Sequence, residues 1–337
     1  MCPRYAAKRS VEISNIFRTV FGDSAMTARI RPVLMTQLGN AEHFLGGQAK
    51  MMLNYYNNMA GNFVTAPRPP SYYFYGAGGS VYYQPDGPVT TLDEFFDDSA
   101  FKPAGLIPQL EKDAAFVAAM GLKRIAYEGG PNLIKSDSES KNALYARAVN
   151  DARMTGAIVD MHNAWSNYGG DLLVYYTAAI SDFQWAFAPD IYNLQTKKLQ
   201  AIDTLNAASR APLMYGKLVP GKIAGNLPAA CFAGSGGGCV PINPWDNFTA
   251  DGSKVVWASY SFRSSLAAPW TVNLTFAKAS RNASVAVYVD GNHIGTQQPT
   301  GGVLGFKAGE VNPGLHGVIV RAVKGSFSLD SIAVSLN

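Results

Sequence analysis

The sequence predicts an α/β half followed by an all-β half. The first carries four strand–helix units, the content of half a closed TIM-type β/α barrel; the second is an antiparallel, jelly-roll-like β-sandwich. Three observations carry this. Strand-like apolar runs alternate with helical runs through residue 208, which implies a parallel sheet with right-handed crossovers. The character changes after Pro212, where a Gly/Pro/Cys-rich stretch begins. Short alternating strands with frequent turn signals then run to the end of the chain, as in a sandwich. The boundaries read are 1–212 for the partial barrel, 213–245 for the connection and the start of the sandwich, and 246–337 for the sandwich proper.

The elements follow in order. Ser10 to Phe21 is an amphipathic helix with Ile13, Ile16, Phe17, Val20 and Phe21 on one stripe, stopped by Gly22. Arg29 to Leu38 is a buried strand, and Ala41 to Met59 a helix. Ser71 to Tyr75 reads as a strand by its aromatic content, left through Gly76-Ala77-Gly78-Gly79. A helix starts near Leu92, and Leu110 to Gly121 is a helix with a glycine stop. The strand Arg124 to Tyr127 follows, then one long helix from Ser140 to Trp165, a strand from Asp171 to Ala178 and a helix from Gln195 to Ala208. In the sandwich the strands are 255–262, 270–277, 284–289, 293–296, 303–306, 315–323 and 326–334, and Asp290-Gly291 marks a hairpin.

Composition excludes some function classes. The 337 residues carry a net charge of +4 with no basic run, so nucleic acid is not indicated as a partner. There is no uninterrupted apolar run of about 18 residues, so no membrane span is expected. No phosphate loop, Gly-X-Ser-X-Gly elbow or zinc spacing is present, and no metal is assigned. Cys231 and Cys239 flank a short Gly-rich loop and are candidates for a local disulfide in an exported protein, which leaves Cys2 over.

The chain is organised around Arg124-Ile125-Ala126-Tyr127-Glu128-Gly129-Gly130. Helix, tight turn, strand, acid and glycine loop succeed one another here. In a parallel barrel that order puts Glu128 at the carboxyl end of a strand, where such barrels do chemistry. An acid that caps a loop or pairs with an arginine fits the same spacing.

Two resemblances rest on these residues. The carboxyl-terminal part resembles family 6 and family 35 carbohydrate-binding modules through Val219-Pro220-Gly221-Lys222-Ile223, Trp257 to Phe262, Val287 to Gly291, Gly314 to Gly317 and Phe327 to Ile332. The first 210 residues resemble the second half of the barrel of retaining glycoside hydrolases in the clan of families 5, 30 and 39. That likeness rests on the helix at Arg9 to Ile13, the aromatic strand ending Tyr75-Gly76, the Tyr127-Glu128-Gly129-Gly130 strand end, and Trp185.

The resemblance implies a secreted, polysaccharide-acting retaining hydrolase with an attached carbohydrate-binding module. Glu128 takes the place of the nucleophile. The acid/base Glu of that clan lies upstream of any residue here, so the chain reads as truncated at its amino end. The alternative is a non-catalytic carbohydrate-binding protein with a vestigial barrel. Tyr75 is the candidate to orient the nucleophile, or is an ordinary buried tyrosine. Trp185 and Tyr127 are candidate sugar contacts in the barrel, and Tyr260 and Trp270 in the sandwich; Trp185 fits core packing too. Asp330 matches a late Asp of the modules, but Ala224-Gly225-Asn226 lacks their calcium-holding acids, so no cofactor is assigned and structural calcium is left open.

Overall fold

The computed structural model describes residues 3–40, 45, 48, 68–179, 185–208, 225–228, 232–236, 248–251, 257–264, 267–312 and 314–336. The predicted disulfide pair Cys231 and Cys239, and nearly all of the helix expected over 41–59, lie outside these residues.

The first unit contains α1 (Pro3–Phe21), β1 (Val33–Gln37), α2 (Pro70–Tyr73), β2 (Gly76–Tyr83), α3 (Leu92–Asp97), α4 (Pro103–Ala119), β3 (Lys123–Ala126), β4 (Gly129–Pro131), α5 (Glu139–Ala148), α6 (Arg153–Asn167), β5 (Gly170–Leu173) and α7 (Lys197–Ala207). The sheet runs β1-β2-β3-β5, every pair parallel, and β4 adds to β2 beyond β3. Strands that neighbour one another in chain order, joined by right-handed crossovers, place their helices on one face. On that face Leu34 and Ala77 are buried with Ala7 and Val11 of α1 and Phe116 and Val117 of α4. Val81 and Ala126 are buried with Leu110 of α4 and Trp165 of α6. On the other face Met35, Leu172, Val174 and Tyr176 are exposed. Among the described residues the sheet is open, with β1 and β5 at its edges.

Three expectations change. The aromatic run 71–75 is not a strand: Pro70–Tyr73 forms one helical turn, and the glycine-rich Gly76–Tyr83 is the strand itself. Its glycines are there because neighbours approach closely. A Cβ on Gly78 would lie 2.2 Å from the Ile125 carbonyl oxygen, and one on Gly79 2.5 Å from the Leu38 nitrogen. The long helix 140–165 is two helices. The break falls at Asp151, whose carboxylate accepts from the Arg153 N–H at 2.9 Å and starts α6. In α1, Ala7, Val11 and Ser14 face the sheet, while Ile13, Ile16, Phe17, Val20 and Phe21 are exposed.

Inside the layer, Arg124 of β3 donates from Nε to Asp113 Oδ2 of α4 at 2.7 Å, both side chains at or below 1% exposure. Asp113 Oδ1 accepts from the Gly79 N–H at 3.1 Å, and Arg124 Nη1 donates to the Trp165 and Tyr168 carbonyls. A buried charge needs this many partners to offset its desolvation.

The second unit is a sandwich of two antiparallel sheets. It contains β6 (Gly225–Pro228), β7 (Phe232–Gly236), β8 (Phe248–Thr249), β9 (Trp257–Ser264), β10 (Ala268–Ala279), β11 (Ser284–Val289), β12 (Asn292–Gln297), β13 (Val303–Val311), β14 (Gly314–Lys324) and β15 (Ser326–Leu336). One sheet is β13-β10-β15-β6 with β8 on β15; the other is β12-β11-β14-β9-β7. Tyr260, Phe262, Trp270, Val287, Val320 and Phe327 lie between them. The second sheet is buried on its outer face too, through Trp257, Ala286, Tyr288 and Ile319. Helix α4 packs against β14, β7 and β9 and covers that face. At its end Gly121, with φ +65°, meets the Asp290 backbone, and a Cβ there would lie 2.6 Å from the Asp290 carbonyl oxygen.

Candidate functional site

Glu128 lies where the sheet is irregular. Ala77 pairs with Arg124 and Val81 with Gly129. Between these pairs β2 advances 81 − 77 = 4 residues and the facing chain 129 − 124 = 5. The extra residue makes a β-bulge at Tyr127-Glu128, with the Val81 N–H donating to the Glu128 carbonyl at 2.9 Å. The strand therefore does not stop at Glu128, as the sequence suggested, but resumes as β4. On a regular strand Tyr127 and Glu128 would face opposite sides. The bulge brings the Tyr127 hydroxyl and the Glu128 carboxylate together, and Tyr127 also hydrogen-bonds with the Ser80 side chain.

Strand β2 supplies the next wall. Ala77 and Val81 point toward the helices, so Ser80 and Tyr82 point to the helix-free face. The Tyr82 hydroxyl is buried and comes within interaction range of Glu128, without the alignment of a regular hydrogen bond. Burial, and then the Glu128 charge, push the Tyr82 phenol far above its usual range, so it stays protonated and can donate. Burial and Glu128 likewise raise Tyr127, against the lowering effect of the bond with Ser80.

The chain leaving β5 closes the site. The Val174 N–H donates to the Ala126 carbonyl at 2.9 Å and the Tyr176 N–H to the Gly129 carbonyl at 3.0 Å, which lays residues 174–176 along the bulge. Trp185 packs edge-on against two of the tyrosines, with ring centroids 5.0 Å from Tyr82 and 5.9 Å from Tyr176. One carboxylate is thus framed by Tyr82, Tyr127, Tyr176 and Trp185 at the carboxyl ends of parallel strands. Tyr176 is 46% exposed, so the frame opens to solvent. Glu128 is the carboxylate that acts on Tyr82 and Tyr127 among the described residues.

Of the residues singled out from sequence, Glu128, Tyr127 and Trp185 come together here. Tyr75 does not. It precedes β2, its N–H donates to the Pro32 carbonyl and its carbonyl accepts from Lys123, the first residue of β3. That is the opposite end of the sheet from Glu128; the wrong strand placement moved it. Tyr82 occupies the position that Tyr75 was expected to hold. Its signal was the alternation Ser80-Val81-Tyr82 following the glycines.

Tyr260 and Trp270 are at 0% exposure inside the sandwich core, so neither offers a face to a sugar. Trp257, an odd number of residues from Tyr260 on β9 and so on the opposite face, is buried as well, because α4 packs against that strand.

Four acids after β2 are held in local structure. Glu94 completes a capping box with Thr91, Asp97 pairs with Lys102, Asp93 with Arg153, and Asp98 accepts from the Ala100 and Phe101 N–H groups. Among the described residues no group of three His, Cys, Asp or Glu side chains could hold a metal, and no helix is long and apolar enough to cross a membrane.

No family model matches the chain, and no curated protein matches it. Solved structures similar to parts of it include a family 35 carbohydrate-binding module from an environmental isolate. That match is 19% identical over 24% of this chain and 66% of that one, with a TM-score of 0.22. The C-terminal family 6 module of a marine laminarinase from Zobellia galactanivorans is 14% identical over 33% and 98%, with a TM-score of 0.24. A ruminal family 26 endo-β-1,4-mannanase is 14% identical over 34% and 26%, with a TM-score of 0.26.

Proposed function

We propose that this is a carbohydrate-active protein whose Glu128 site is of the retaining glycoside hydrolase type, joined to a glycan-binding sandwich and working on extracellular polysaccharide. The observation that carries the reading is a carboxylate framed by three tyrosines and a tryptophan at the carboxyl ends of parallel strands. Aromatic edges and faces suit the apolar faces of a sugar ring. A carboxylate among them is placed to attack an anomeric carbon, and a protonated Tyr82 would orient it.

Retaining hydrolysis needs a second carboxyl group about 5 Å away to shuttle the proton. In this reading the sheet is half of a barrel and that group comes from outside the described residues. The second reading, glycan binding without turnover, is favoured by Glu128 being the one carboxylate acting on this site among the described residues.

One experiment separates them. A 2-fluoro glycoside with a dinitrophenolate leaving group needs the nucleophile and no acid: the Glu128 oxygen bonds to the anomeric carbon as dinitrophenolate departs with the electron pair. Peptide mass spectrometry that finds the fluoroglycosyl group on Glu128 supports the hydrolase reading. Saturable sugar binding without labelling supports the binding reading. Neither labelling nor binding by any of a panel of hexosides and pentosides defeats both.

A further inference from the structure

The amino-terminal end of the parallel sheet, opposite Glu128, carries a cluster of cations stacked on aromatic rings. The Arg18 guanidinium sits 3.8 Å and that of Arg68 5.4 Å from the Tyr72 ring centroid. Arg31 lies 4.8 Å and the Lys123 ammonium 5.4 Å from the Tyr75 centroid, and Arg29 lies 6.0 Å from that of Phe21. The strand starts hold these together, through the Tyr75–Pro32 and Lys123–Tyr75 backbone bonds.

Two of the cations are already engaged: Arg18 with Asp23, and Lys123 loosely with Asp171 at 3.9 Å. Arg29, Arg31 and Arg68 are exposed and pair with no carboxylate among the described residues. These three arginines are therefore displayed without carboxylate partners beside the aromatic rings near the strand starts. Arg31 Nε donates to the Ala28 carbonyl at 2.9 Å. Stacking on a ring holds a guanidinium plane still and leaves its terminal nitrogens to meet an oxyanion.

We propose that this surface binds an anionic polysaccharide, one bearing sulfate or carboxylate groups, at a place separate from the Glu128 site. The rings decide between polyanions. Single-stranded nucleic acid is held by bases stacking on open aromatic faces. Here Tyr72 and Tyr75 are occupied by the protein's own cations, so the surface offers fixed guanidinium donors rather than stacking platforms. Sulfate and carboxylate are the partners that such donors recognise. The choice of a glycan as their carrier rests on the carbohydrate reading above.

Affinity electrophoresis of the whole chain tests this, with gels containing dextran sulfate, neutral dextran or an oligothymidylate. Dextran sulfate retards the protein and neutral dextran does not, and added salt weakens the retardation. Replacing the three arginines that pair with no carboxylate among the described residues (R29E/R31E/R68E) weakens apparent affinity roughly tenfold or more, because each lost charge-assisted contact costs several-fold. A control of equal net charge, K278E/K307E/K324E on the sandwich surface, stays close to wild type.

Failure of dextran sulfate to retard the chain, or equal weakening by both triples, overturns the proposal. Tighter, triple-sensitive retardation by oligothymidylate overturns it in favour of nucleic acid. Should the glutamate triple lose its circular dichroism, R29Q/R31Q/R68Q gives the same reading. The readout uses neither Glu128 nor hydrolysis, so its failure and that of the hydrolase reading are separate results.

Discussion

Asp113 of α4 and Arg124 of β3 form a fully buried ion pair, 2.7 Å between Oδ2 and Nε, which joins the helix layer to the strand that carries Glu128. Removing the acid leaves a guanidinium without its counter-charge in the layer. Asp113→Ala is expected to cost about 3–5 kcal/mol in denaturant unfolding, and Asp113→Asn, which keeps an acceptor for Arg124, less. Equal unfolding midpoints for wild type and Asp113→Ala would show that the pair contributes nothing.

His162 makes stability depend on pH. Its Nδ1 lies 2.9 Å from the Tyr175 hydroxyl, and burial lowers its pKa below the ordinary 6.5. The folded chain then binds fewer protons at this site than the unfolded chain, so stability is lost as pH falls through 6.5 toward the depressed value. The contribution is fully present above that window. Thermal unfolding between about pH 8 and pH 5 should show the drop, and His162→Gln should flatten it.

Tyr82→Phe, and not Tyr75→Phe, should slow trapping of Glu128 by the fluoro glycoside. Misplacing an attacking group by about 1 Å can cost on the order of a hundredfold, so loss of the hydroxyl that orients the carboxylate slows its attack. Rate constants for labelling, measured on variants whose melting temperature matches wild type, check this. A slowing by Tyr75→Phe instead would put the reacting end of the sheet on the wrong side.

Two glycines should respond in opposite senses. A Cβ at Gly78 would strike the Ile125 carbonyl oxygen at 2.2 Å, so Gly78→Ala should cost several kcal/mol or prevent soluble expression. Gly156 lies inside α6, and a methyl added there would meet nothing within 4 Å, so Gly156→Ala should stabilise by about 0.5–1 kcal/mol. Chemical denaturation of the two variants beside wild type decides both.

The phenols report on Glu128 without any substrate. Its charge contributes to the raised pKa of Tyr127 and Tyr82, so in Glu128→Gln the phenolate absorbance should begin to rise at lower pH. An alkaline titration that matches wild type would separate Glu128 from both hydroxyls.

Much of the architecture was legible because periodicity follows from burial. Strands of the first sandwich sheet alternate between two environments, as in β13, and the alternation of strands and helices before residue 208 is what a singly wound parallel sheet requires. Glu128 was legible as an acid between a strand and two glycines. What local sequence could not supply was register. Gly76-Ala77-Gly78-Gly79 has the composition of a loop, and it is a strand because Ile125 and Leu38 press against it from other parts of the chain. That misplacement carried the expected orienting residue from Tyr82 to Tyr75. The bulge at Tyr127-Glu128 was equally hidden, since it is a count between two strands. Tyr260 and Trp270 were misread because aromatic content alone does not distinguish a sugar platform from a core.

Helix α4 belongs to two interiors at once. One of its sides holds Asp113 and Val117 against the parallel sheet, and another covers the outer sheet of the sandwich. A β-sandwich joined to another unit is usually thought of as a cassette that can be lifted from one host and grafted onto another. This one is not portable. Cut free, it would bare Trp257 of β9 and Ile319 of β14 together, and the liberated fragment would stick to its own copies.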